Sequence, residues 1–238
     1  MNSELSDFAA HLREVISHWP SAIGHRPFPE LALDLFSLQF KHNPAYRKIC
    51  ETRKATPQSV EHWTQIPAVP TSIFKELALT SIPSTERTAV FHSSGTTEQK
   101  PSRHFHCAES LAVYETSLWT WFAANVSGGA PNSSSASFRS DVDHADQEIG
   151  APSPRQFRLA MLTPPPEQVP HSSLVHMFET VRFKLGGASV PASRSEFYGK
   201  LAEDGSWTLE FDAVVDALAS GCQTSDASPV LLLGTAFS

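Results

Sequence analysis

From Phe157 onward the sequence alternates between short apolar runs and helical stripes, and that alternation constrains the fold more than any other feature. Phe157 to Thr163 is an apolar strand stopped by Pro164-Pro165-Pro166. Ser172 to Leu185 reads as a helix, Trp207 to Phe211 as a strand, Asp212 to Ser220 as a helix and Pro229 to Leu233 as a final strand. Strands and helices in this order argue for a layered α/β sheet with crossover helices. The first part of the chain reads differently. Leu5, Phe8, Ala9, Leu12, Val15 and Ile16 recur at intervals of three and four, so a helix is expected from Leu5 to Ile16. Further helices are expected over Pro29–Lys41 and Ala45–Lys54, with Asn43-Pro44 between them and another helical turn opening at Thr56-Pro57 and leading to Trp63. Two prolines keep Ile66 to Pro70 extended. The expected fold class is therefore α/β, a helical lead-in over residues 1–65 followed by a layered sheet.

Composition narrows the function classes. A hydrophobic share of 40% suits a chain with a real core, and a net charge of −7 argues against a nucleic-acid binder, which would carry a basic patch or stripe. Cys50, Cys107 and Cys222 are widely spaced and odd in number, so reduced thiols and a cytoplasmic setting are expected. The polar, acidic N-terminus has no signal-peptide pattern, and no apolar run is long enough for a membrane span. Residues 127–154 lose all periodicity and read as a flexible surface insertion, since pattern resumes directly after them.

The candidate site lies between two segments of regular pattern. The strand Thr88-Ala89-Val90-Phe91 leads into His92-Ser93-Ser94-Gly95-Thr96-Thr97-Glu98-Gln99-Lys100-Pro101. Backbone N–H groups, several hydroxyls and one lysine on such a loop can cradle a phosphate. By composition alone a plain turn is the competing reading. The second glycine and the Gly-Lys-Ser/Thr ending of a P-loop are absent.

The order Ser93-Ser94-Gly95-Thr96-Thr97 with Lys100-Pro101 resembles the phosphate-binding motif of the adenylate-forming, or acyl-activating, enzymes. There the usual pattern is Ser/Thr-Ser-Gly-Thr-Thr-Gly-x-Pro-Lys; here Glu98 replaces the glycine and Lys-Pro reverses Pro-Lys. Ile66 to Pro70 with Phe74-Lys75, Ser93 to Arg103, Pro170 to Leu174 and Gly234-Thr235-Ala236-Phe237 together resemble LuxE-like acyl-protein synthetases, from about Pro27 to the C-terminus without the insertion. Phenylacetate–CoA ligase-like enzymes are the nearest competitor.

The resemblance implies ATP and Mg²⁺, with a fatty acid activated as acyl-AMP and passed to a protein thiol, or to coenzyme A in the competing family. It implies a protein partner that donates or reduces the acyl group, and in some hosts a link to bioluminescence. Ser93, Ser94, Gly95, Thr96, Thr97 and Lys100 would hold the β- and γ-phosphates. Arg103 would assist or be a solvated surface charge. Gly234 and Thr235 would lie near the nucleotide or acyl pocket, or form a plain turn. No catalytic side chain is singled out. The chain is expected to be an N-terminal portion, over residues 1–238, of such a domain without its C-terminal lid, and inactive or nearly so alone. A non-catalytic nucleotide-binding remnant is the alternative.

Other candidates weigh less. His92, His104 and His106 flank the loop, but no partner has metal-ligand spacing, so no metal site is expected from them, and a place lining the acyl pocket is the better functional reading. His171-Ser172-Ser173 opens a helix, with a serine expected as its N-cap. Cys107 is not expected to be the acyl acceptor, and a Ser/His/Asp hydrolase is a poor fit without a Gly-x-Ser-x-Gly elbow.

Overall fold

The computed structural model describes residues 2–18, 28–93, 100–126, 158–186, 195–221 and 230–234. It begins with three helices, α1 (Ser3–Ser17), α2 (Phe28–His42) and α3 (Pro44–Thr52). Local chemistry sets their ends. The Asn2 side chain accepts the Glu4 N–H at 3.0 Å, and Asn43 accepts the Tyr46 N–H at 3.1 Å with Pro44 in the first turn of α3. Phe36, Cys50 and Val60 form the buried centre of this lead-in, with Tyr46 and Ile66 packed against it. Glu4 of α1 binds both Lys41 and His42 at the end of α2, at 2.7 Å each.

A short helix α4 (Ile73–Glu76) and a 3₁₀ turn (Ser84–Glu86) lead to the antiparallel strands β1 (Ala89–His92) and β2 (Arg103–His106). Their register pairs His92 with Arg103 and Ala89 with His106. Helix α5 (Ala108–Asn125) follows, and α1 packs along it.

The second half contains β3 (Arg158–Met161), α6 (Ser173–Gly186), β4 (Ser195–Phe197), β5 (Gly199–Leu201), β6 (Trp207–Leu209), α7 (Phe211–Gly221) and β7 (Val230–Leu233). A parallel sheet runs in the order β4-β3-β7, while β5 and β6 form a separate antiparallel pair. Side chains alternate across β3. Leu159 and Met161 pack with Phe122 of α5 and with Phe178 and Val181 of α6, whereas Ala160 packs with Tyr198 and Val214 of α7. The central strand is thus covered on both faces, as a parallel sheet requires.

The α/β class and the helical lead-in agree with expectation, and every expected strand and helix of the second half is present. The layered sheet is smaller than the pattern suggested, because β1–β2 and β5–β6 pair on their own. Three strands escaped the sequence reading. Arg-His-Phe-His in β2 has no apolar run, and β4 and β5 have three residues each. The helical turn expected after Pro57 is a turn over 57–59, followed by a 3₁₀ turn at Trp63–Gln65. The 127–154 insertion lies outside the described residues. No helix among the described residues is long and apolar enough to cross a membrane.

Gly199 locks β5 to the chain leaving β3. Its N–H donates to the Thr163 carbonyl at 3.0 Å, and a Cβ there would lie 2.3 Å from the Thr163 carbonyl carbon and 2.5 Å from the Pro164 nitrogen. Those neighbours are backbone and cannot rotate away. Gly199→Ala is expected to lower stability by about 2–3 kcal/mol, in the overpacking range. Urea denaturation of variant and parent checks this.

Candidate functional site

The site is built on the open end of the β1–β2 pair. At His92 and Ser93 the strand leaves the ladder, and at Ser102 and Arg103 it returns. The Ser93 N–H donates to the Ser102 carbonyl at 3.2 Å, and the Ser102 N–H donates to Ser93 Oγ at 3.2 Å. The Ser102 hydroxyl, on a residue only 7% exposed, donates to Ser93 Oγ at 2.8 Å, and His104 Nε2 lies 3.0 Å from that hydroxyl. Ser93 Oγ therefore accepts twice. Its own proton remains to be donated to an incoming acceptor.

The other edge of β1 is held by His171. The His171 carbonyl accepts the His92 N–H at 2.9 Å, and Nδ1 of its ring donates to the Val90 carbonyl at 3.0 Å. The two imidazoles lie against each other with their planes tilted by 32° and ring centres 4.5 Å apart. Partial burial, His171 and Arg103 together push the His92 imidazole below its ordinary range. Ser172 caps the following helix by accepting the Val175 N–H at 3.3 Å, as the sequence led one to expect.

Lys100 stands on the far side of the loop and binds Glu76 of α4 at 2.7 Å, which holds the Glu76 carboxyl below the usual carboxylate range. Both side chains are solvent-exposed. Water screens an exposed pair of this kind, so a polyphosphate can displace Glu76 from the ammonium.

The structure thus brings Ser93, Lys100 and Arg103 to one end of the β1–β2 pair. Gly234 follows β7 at its C-terminal end, where a Cβ would approach Leu162 at 3.2 Å. Ser94, Gly95, Thr96, Thr97 and Thr235 lie outside the described residues. His104 and His106 occupy alternate positions of β2, as the sequence allowed, but in different surroundings. The His104 ring lies 5.1 Å from Phe74, whereas His106 sits among Phe91, Tyr114 and Ser110. Sequence reasoning missed Ser102, Glu76 and the clasp made by His171. No motif marks the first two, and His171 carried only a helix-start signal.

The donors fit an anion: the hydroxyl of Ser93, held in place by Ser102, an ammonium at Lys100 and a guanidinium at Arg103. Among the described residues no group of three or more His, Cys, Asp or Glu is arranged to hold a metal ion. Cys107 is 2% exposed and Cys50 fully buried, and burial pushes the Cys50 thiol up.

Residues 25–103 match the family model of acyl-protein synthetase, LuxE. The matched stretch includes α2, α3, α4, β1 and the first residue of β2, and so the whole loop. It does not reach the Pro170 and Gly234 segments that contribute to the wider sequence resemblance. No curated protein and no solved structure matches the chain.

Burial depresses His106 in the folded state, with smaller contributions of the same sign from His104 and His176. The unfolded chain, with a histidine value of about 6.5, therefore binds more protons over the interval below that value. The stabilisation from a neutral His106 is full above pH about 6.5 and is lost as pH falls toward the depressed folded value. Urea midpoints measured from neutral to mildly acidic pH are expected to fall with pH, and to fall less steeply in His106→Gln. His92, shifted in the same direction, retains part of the slope.

Proposed function

We propose that the chain binds the phosphates of ATP at the Ser93–Lys100 loop and serves the activation of a carboxylic acid as its acyl-adenylate, with a long-chain fatty acid as the substrate. The observation that carries this reading is the match of residues 25–103 to the acyl-protein synthetase family, a stretch that contains the entire loop. In this chemistry a carboxylate oxygen attacks the α-phosphorus and pyrophosphate departs. Ser93 would donate to a phosphate oxygen. Lys100, released from Glu76, would neutralise charge that builds on the leaving pyrophosphate. Arg103, beside His92 in the ladder, would add positive potential at the same end.

Mg²⁺ would enter bound to the triphosphate and offset its charge. The acyl group would pass to a thiol of a partner protein. Neither Cys50 nor Cys107 is an acceptor as placed, because both are buried.

A reading without chemistry, in which the loop binds nucleotide only, is favoured by one observation. Glu76 occupies Lys100, and Glu98 adds a second acid to the loop where the family motif has glycine.

Nucleotide binding is the step that the loop itself carries, so it is the step to measure. Calorimetric titration with ATP–Mg²⁺ should show saturable binding. Lys100→Ala should weaken it about tenfold or more, as expected for loss of one charge-assisted contact of ~1.5–3 kcal/mol. Absence of binding, or equal binding by parent and variant, would contradict the assignment.

A further inference from the structure

A continuous apolar groove runs beside the site. Two cavities of about 530 Å³ and 280 Å³ share Phe8, Leu12, Leu35, Gln39 and Leu79. Together they extend from Phe28 and Tyr46 at the α2–α3 end to Phe105 of β2 and Ser110 of α5. The larger falls within the range of ligand pockets, about 300–1,000 Å³. No lining side chain in either cavity is charged.

Several of the polar groups in the wall are already engaged. Gln39 Oε1 accepts from the Ser81 hydroxyl at 3.2 Å and from the Asn43 amide at 3.4 Å. Asn43 Oδ1 accepts the Tyr46 N–H at 3.1 Å, and the Tyr46 hydroxyl donates to the Pro67 carbonyl at 2.9 Å. A polar ligand would find little to bind here, and a hydrocarbon would lose nothing.

The wall is also fastened to the loop. Phe74 lines the groove and lies against His104, which contacts Ser102 beneath Ser93. Glu76, two residues further along the same short helix, holds Lys100 on the other flank. The Phe74 wall of the groove is therefore separated from Ser93 by His104 and Ser102 alone.

We propose that this groove seats the unbranched hydrocarbon chain of the acid, with its carboxyl end directed to the Ser93–Lys100 loop. The proposal rests on the functional reading above, and it assigns the acyl subsite to the helical lead-in. An uncharged, apolar channel beside a cluster of anion-binding donors matches the two ends of a fatty acid, an apolar tail and a carboxylate. Phe28, 63% exposed, and Leu35, 38% exposed, form the open side through which the tail would enter.

The test is direct binding without nucleotide. The full 238-residue chain is titrated with octanoate, decanoate, dodecanoate and tetradecanoate by displacement of a fluorescent fatty acid. Affinity should rise about fourfold per added methylene until the groove is filled. Leu35→Glu, at a half-open position that tolerates a polar side chain, should weaken dodecanoate binding tenfold or more. Ala32→Trp should do the same by occupying the volume. Val215→Glu, on the exposed side of α7, should leave binding unchanged, and thermal melts verify folding of each variant. Affinity independent of chain length, or insensitive to both Leu35→Glu and Ala32→Trp in folded protein, would overturn the proposal. The calorimetric ATP titration separates the two readings. Acid binding with the expected chain-length dependence but no ATP binding removes the nucleotide assignment and leaves the groove. ATP binding without length-dependent acid binding removes the groove alone.

Discussion

The free edge of β1, the strand from which the loop departs, is positioned through the burial of β3 from both sides. Leu159 and Met161 face α5 and α6, while Ala160 faces Tyr198 and α7. A strand covered in this way cannot slip by one residue, because a slip would exchange its two faces. Its fixed register fixes where the chain leaves it. Leu162, Thr163 and the prolines that follow are held against β7 and against Gly199, and the segment they begin ends at His171. His171 then covers the free edge of β1 with two hydrogen bonds. The core of the second half thereby sets the position of a loop encoded more than fifty residues earlier in the sequence.

The loop end itself is held by modest forces. The Ser93–Ser102 hydrogen bonds close its base, and the exposed Lys100–Glu76 pair spans its side. The proposed exchange of water for phosphate would benefit from this division. The base is tied by backbone and side-chain hydrogen bonds, and the charged arm is held by an interaction weak enough in water for a polyanion to replace it. On the other side of α4 lies the apolar groove. One four-residue helix thus contributes an aromatic wall to the groove and a carboxylate partner to the loop lysine.

Much of this was legible in the sequence. The spacing of Leu5, Phe8, Leu12 and Ile16 gave α1, the apolar run before Pro164 gave β3, and the apolar run Thr88 to Phe91 gave β1 leading into the loop. β2 was hidden because its outward and inward positions are arginine, histidine and phenylalanine, with no apolar alternation to read. The Ser102 and Glu76 contacts were hidden because they bridge nine and twenty-four positions and involve residue types that no motif marks. The groove was hidden for a different reason. Leu31, Leu35 and Phe8 look like core-facing positions of amphipathic helices, and periodicity cannot tell a face that meets protein from one that lines a cavity. Ser94 to Thr97, on which the nucleotide reading leans in sequence, lie outside the described residues, so Ser93, Ser102, Lys100 and Arg103 carry the geometry.

The central claim is that loop and groove are two halves of one acyl-adenylate site. Hydrogen exchange in the presence of a stable acyl-adenylate analogue, with a sulfamoyl group in place of the phosphate and a dodecanoyl chain, tests it most directly. The expected result is slowed exchange in peptides spanning residues 28–46 and 88–106 together, with the C-terminal part of α7 unchanged. Saturating analogue that slows exchange in neither segment, or in only one of them, would contradict a shared site.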